Sequence, residues 1–139
     1  MASKFGFTIE TVGVSNVNEI AQALDALLPK VDALYEPTDN LVASAMPLIA
    51  EKSIANKKAV ITGEKGMVEA GGLATEGIDY YELGKQTGEM AIKVLKGEKP
   101  NTLAIKTLEK TELVINMKTL NALGLTLPAD LDKKATKVE

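Results

Sequence analysis

The sequence predicts an α/β protein built on a Rossmann-like, mainly parallel sheet flanked by helices. Two observations carry that expectation. Short, apolar, β-branched runs alternate with longer stretches of helical periodicity, in the order strand, helix, strand, helix, as right-handed crossovers between parallel strands require. The junctions from strand to helix are also marked by capping and turn residues. The clearest of them is V-D-A-L-Y-E-P-T-D-N at 31–40, where a buried strand over 31–35 stops at Pro37 and turns through Thr38-Asp39-Asn40 into a helix.

Taken in order, 7–14 (F-T-I-E-T-V-G-V) alternates apolar and polar residues and predicts a strand at or near a sheet edge. Ser15 or Asn16 caps the next helix, with Glu19 in its first turn and Val17, Ile20, Leu24, Leu27 and Leu28 along one face; it ends near Pro29-Lys30. After the strand over 31–35, a helix over 41–52 buries Leu41, Val42, Ala45, Leu48 and Ile49, and Pro47 within it predicts a bend. The run A-V-I-T at 59–62 is an interior strand, and a short helix around 67–70 stops at Gly71-Gly72. A strand over 73–78 follows. Asp79, with Glu82 three residues on, has the form of a capping box and opens a long helix whose stripe is Leu83, Met90, Ala91, Val94 and Leu95. That helix ends at Gly97, before Pro100. Two extended segments, 103–108 and 112–117, precede a short helix over 118–123 closed by Gly124, and the charged tail over 129–139 is expected to fray.

The chain has 139 residues, which suits one domain of ordinary core size, and a net charge of −3 without a basic run interleaved with aromatics excludes a nucleic-acid partner. No apolar run approaches the ~20 residues of a membrane helix. The start, M-A-S-K-F-G-F, has no signal core. With no Cys and no His, thiol nucleophiles, imidazole bases, zinc ligands and disulfides are all ruled out, and carboxylates, Lys, Tyr and hydroxyls are the remaining vocabulary. No cofactor or metal is expected.

Polar residues gather at three successive junctions: Glu36, Thr38, Asp39 and Asn40; then Thr62 and Glu64; then Glu76, Asp79, Tyr80 and Tyr81. In a parallel sheet these lie on one edge, where ligands bind, and an acidic crevice there favours a cationic group. Each capping residue alone is as well explained by the helix it starts; three junctions in a row favour a shared site. Tyr80 and Tyr81 are placed to stack on a flat ligand, although Tyr81 reads equally well as helix core. Met46, Met67, Met90 and Met117 read as core filling. Gly63-Glu64-Lys65-Gly66 lacks the spacing of a phosphate loop. An enzyme of another class, magnesium-dependent or phospho-accepting on a flavodoxin-like sheet, is the alternative. It lacks an Asp pair at a strand end and a Lys at the tip of a late strand.

The stretches V-D-A-L-Y-E-P-T-D-N at 31–40, T-G-E-K-G-M-V-E-A-G-G-L-A-T-E-G-I-D-Y-Y-E-L-G-K-Q-T-G-E-M-A-I-K-V-L-K-G-E-K-P at 62–100 and K-T-E-L-V-I-N-M-K-T-L-N-A-L-G-L-T-L-P at 110–128 resemble the substrate-binding components of bacterial ABC importers. The branch is the type I periplasmic-binding-protein superfamily, in its tryptophan/tyrosine-type group. The resemblance implies a non-catalytic lobe that binds a small amino-acid-like solute, of the aromatic class usually attached to this group, through Thr38, Asp39, Asn40, Glu64, Asp79 and Tyr80. It implies an ABC permease as partner of the full-length receptor and an extracytoplasmic location. It also implies that 1–128 is an incomplete second lobe, with the helix over 80–97 belonging to the other lobe and 129–139 a tail. Set against that family, a first lobe, and the strand and helix that open the second, are expected to lack a counterpart among these 139 residues. A homo-oligomer, formed by exchange of the 81–96 helix or of the segment around 113–117, is the expected consequence.

Overall fold

The computed structural model describes residues 2–108 and 111–139. Among them the strands are β1 (Ala33–Glu36), β2 (Ala59–Thr62), β3 (Ala74–Gly77), β4 (Glu112–Asn116) and β5 (Thr136–Val138), and they form one sheet in the order β1-β2-β3-β4-β5. The first three are parallel neighbours, β4 is antiparallel to β3, and β5 is parallel to β4. The mainly parallel α/β sheet is therefore present. Because strand order follows chain order from β1 to β3, right-handed crossovers place the intervening helices on the same face. That face carries Leu34, Val60, Thr62, Thr75 and Val114, all buried. On the opposite face Tyr35 is 68% exposed, and Ile61 and Glu76 also meet solvent.

The covering helices are α1 (Val17–Leu27), α2 (Asn40–Ser44), α3 (Met46–Ala55), α4 (Lys65–Glu69) and α6 (Met117–Leu123). Asn16 caps α1 through its own Oδ1, which accepts from the Asn18 N–H at 3.0 Å, while Glu19 Oε2 accepts from the Ser15 N–H at 2.7 Å. The apolar stripe then brings Ile20, Leu24 and Leu28 against Leu34, Met46, Ile49, Val60 and Met67. Met46 and Met67 are thus core, as expected, whereas Met90 and Met117 are only half-buried. Gly124 adopts the left-handed conformation (φ 72°) that closes α6.

Four expectations need correction. The segment 7–14 is not a strand: none of its residues joins the ladder, and Phe7, Ile9 and Val12 are exposed. Alternation marks a segment suited to a sheet, yet a strand exists only where a neighbour supplies hydrogen bonds. The segment 103–108 stays outside the sheet for the same reason, and Ile105 is 99% exposed. The single helix over 41–52 is two: Ala45 leaves helical geometry (φ −97°, ψ 3°) and α3 restarts with Pro47 in its first turn, the position that tolerates a missing N–H. The tail does not fray, for α7 (Ala129–Asp132) turns it back and β5 pairs with β4. Its charges mislead because β5 is an edge strand with Lys137 tied to Asp132 at 2.7 Å.

One element stands apart. The helix α5 (Tyr80–Leu95) buries none of its residues. Leu83, Gln86 and Met90 are half-buried, and Gln86 Nε2 donates to the Thr107 carbonyl at 3.0 Å, so α5 is braced by its own return segment. Leu95 is 85% exposed.

Candidate functional site

Each of the three junctions is built by a carboxylate that starts a helix. Asp39 Oδ1 accepts from the N–H groups of Leu41 (2.8 Å) and Val42 (3.1 Å). At the next junction Glu64 Oε2 accepts from Gly66 N–H at 2.8 Å and Oε1 from Met67 N–H at 2.9 Å. At the third, Asp79 Oδ1 accepts from Tyr81 N–H (2.8 Å) and Glu82 N–H (3.3 Å). The capping explanation is therefore true of all three. Capping does not compete with a shared edge, because β1, β2 and β3 run parallel and end on the same side.

Main-chain contact joins the junctions. Gly63 N–H donates to the Glu36 carbonyl at 3.0 Å, and a Cβ on Gly63 would sit 2.5 Å from Thr38 Oγ1 and 2.8 Å from Thr38 N. Only glycine lets the first two turns touch in this way. On the other side Glu64 pairs with Ile78 in a parallel bridge, so the second and third turns are also adjacent.

Between those two turns lies an open hollow of about 380 Å³ lined by Glu64, Lys65, Gly66, Glu69, Ile78, Asp79, Tyr80 and Tyr81. Of the expected site residues it gathers Glu64, Asp79 and Tyr80. Thr38, Asp39 and Asn40 sit at the neighbouring turn on the same edge, outside the lining. Tyr81 is 78% exposed, so the core reading of that residue is overturned. Lys65, Gly66, Glu69 and Ile78 also line it without being expected there, although Lys65 and Gly66 stand in the same glycine-bounded turn, Glu69 is little more than one helical turn beyond Glu64, and Ile78 directly precedes Asp79. Lys65 Nζ is 3.7 Å from Glu112, and among the described residues it is the one cation lining the hollow, against the carboxylates of Glu64, Glu69 and Asp79, so the hollow is acidic. Among the described residues no three acidic side chains gather as a metal cage would require. Glu76 Oε1 accepts from Thr111 Oγ1 at 2.6 Å, a tie between β3 and the start of β4.

Glu36, at the end of β1, is half-buried, and that burial raises its carboxyl above the ordinary range because the charged form loses solvation. A raised folded-state value means that Glu36 contributes its full stabilisation below the ordinary carboxylate range and loses it as pH rises through the folded value. Glu36→Gln should therefore be more stable than the parent near neutrality, with the difference shrinking to nothing toward about pH 4. Urea midpoints of both proteins across that range check it, and a difference that grows on acidification would contradict it.

The whole chain, residues 1–139, matches the family model of ABC transporter substrate binding proteins. A tyrosine-binding protein of Clostridioides difficile is 42% identical over 124 residues, which is 89% of this chain and 36% of that protein. Solved structures agree. An ABC domain in complex with L-Trp from Streptococcus pneumoniae is 39% identical with a TM-score of 0.90, over 99% of this chain and 47% of that one. The ligand-free, open form of a Clostridium difficile substrate binding protein with adhesive properties is 42% identical with a TM-score of 0.77, over 99% of this chain and 46% of that one. This chain thus spans less than half the length of each of these relatives, and the family it belongs to, with its three turns on one sheet edge, is that of the ABC transporter substrate-binding proteins.

Proposed function

We propose that this chain is the solute-binding lobe of an ABC importer's receptor, taking an amino-acid-like, aromatic solute at the edge formed by Thr38, Asp39, Asn40, Glu64, Asp79 and Tyr80. The acidic hollow between the second and third turns carries this reading. Its carboxylates complement an α-ammonium, and Tyr80 and Tyr81, exposed beside it, offer faces for an aromatic ring. The relatives named for tyrosine and crystallised with L-Trp support the same solute class. Binding is by shape and hydrogen bonding without a covalent step. The lobe runs on through α7 and β5, with 80–97 reaching toward a second lobe, and the receptor works outside the cytoplasmic membrane with a permease. Among the described residues no helix is long and apolar enough to cross a membrane.

A single lobe offers half of a two-sided clamp, so L-tyrosine and L-tryptophan are expected to bind this chain weakly, with Kd on the order of millimolar. An NMR titration should shift the amides of 38–40, 63–66 and 78–81 and leave α1 and α6 unmoved. Silence of those amides at millimolar solute would overturn the reading, and micromolar affinity by calorimetry would overturn the half-clamp argument.

The exposed stripe of α5 and the open sheet face around Tyr35 and Ile61 further support self-association. Exchange of α5, or of the segment around β4, between two copies would cover apolar groups each worth about 1.5–3 kcal/mol when fully buried. Sedimentation at micromolar concentration should show a species of twice the chain mass or larger; a sharp monomer would end the idea.

A further inference from the structure

We infer that Thr75, acting through Thr62, is a positioning residue for the Gly63-Glu64 turn, and so for the edge proposed above to bind solute. The inference rests on that reading for its purpose but on separate observations for its geometry. Parallel pairing of β2 with β3 is registered at Ile61 with Ala74, and the two chains next meet at the bridge from Glu64 to Ile78. Between those points two hydroxyls tie the backbone. Thr75 Oγ1, in a buried bond, donates to the Thr62 carbonyl at 2.7 Å. Thr62 Oγ1 in turn donates to the Glu64 carbonyl at 3.2 Å. Both threonines are almost fully buried on a face otherwise filled by Leu34, Val60 and Val114, where valine would occupy the same volume and bury no polar atom. A buried hydroxyl in such company is retained only with a partner, and here the partner is the turn itself.

The neighbouring glycine is shaped to this arrangement. A Cβ on Gly77 would collide with Thr75 Oγ1 and would lie 2.8 Å from the Gly63 carbonyl oxygen. The third junction therefore packs directly on the segment that the threonine pair holds. Glu64, whose carboxylate caps Gly66 and Met67, is the element so fixed.

Amide exchange by NMR on the full chain tests this without any solute. Thr75→Val should speed exchange at Gly66 and Met67 by about tenfold relative to the core amides of Val60 and Val114, and Thr75→Ser should restore the parent rates. A uniform change at all amides, or a serine variant that behaves like valine, would overturn the inference. Should Thr75→Val not fold, Thr62→Val against Thr62→Ser gives the same reading one bond closer to Glu64; failure of both valine variants to fold would also overturn it, since the hydroxyls would then serve the whole core. L-tyrosine titration of the folded variants keeps the two ideas apart. Selective exchange with no solute response in any protein leaves the positioning role standing and removes the solute reading.

Discussion

Replacing Met46 by alanine is expected to lower the stability of this chain by about 2–5 kcal/mol. Met46 opens α3, is 0% exposed, and lies in the cluster that joins α1, β1, α3 and β2. Truncation removes three heavy atoms from a packed interior, and the cavity adds to the lost transfer energy because the surrounding helices relax only in part. Pro47 and the break at Ala45 restrict that relaxation, since the helix cannot slide as one rod. Against a total stability of about 5–15 kcal/mol for an ordinary domain, the loss should be plain in a urea transition. Leu95→Ala, at an exposed position on α5, is expected to stay within about 0.5 kcal/mol of the parent at concentrations where the chain is monomeric, as surface changes do, and to cost more where self-association covers the helix. Equal costs at the two positions would mean that α5 is covered in solution.

The second large effect is expected at Gly77. A methyl group there meets Thr75 Oγ1, the Gly63 carbonyl oxygen at 2.8 Å and Glu64 Cα at 3.1 Å, and two of the three are backbone atoms with little freedom to yield. Gly77→Ala should therefore destabilise by about 3 kcal/mol and loosen the second junction along with the third. Gly84, inside α5, has nothing within 4 Å of an added Cβ. Gly84→Ala should accordingly stabilise by about 0.5–1 kcal/mol through helix propensity alone. Thermal midpoints moving in opposite directions for these two glycine-to-alanine changes would satisfy the argument, and a neutral Gly77→Ala would refute it.

What could be read from the sequence was whatever is settled by neighbours in the chain. The caps at Asn16, Asp39 and Asp79, the strand A-V-I-T, the left-handed stop at Gly124 and the gathering of three turns on one edge all follow from local spacing plus the handedness of crossovers. What escaped depends on distant partners. Residues 7–14 have a strand's alternation and, among the described residues, no strand paired with them, whereas Thr136–Val138 has a polar, charged sequence and pairs with β4. The same holds within the site: that Glu64, Asp79 and Tyr80 share a hollow while Thr38 to Asn40 stand at the next turn is decided by how far β2 and β3 run before Gly63 and Gly77 touch. Ala45 gave no warning of the break between α2 and α3; only Pro47 did, and a proline is equally at home in a bend or in a first turn.

The antiparallel seam between β3 and β4 has a topological consequence. These strands lie side by side with Ala74 opposite Ile115 and Gly77 opposite Glu112, yet the chain between them makes the whole excursion through α5 and back along 103–108. A hairpin partner is being reached by a long loop whose interior adds little to the sheet. The entropy of closing such a loop grows only with the logarithm of its length, by about 0.6 kcal/mol for each doubling. The seam is therefore nearly indifferent to how much chain is carried between its ends, provided that the ends return to the same place; Thr111 against Glu76 marks that place. This edge of the sheet works as an insertion point, where the excursion can be lengthened, shortened or exchanged while the register of the core strands stays as it is.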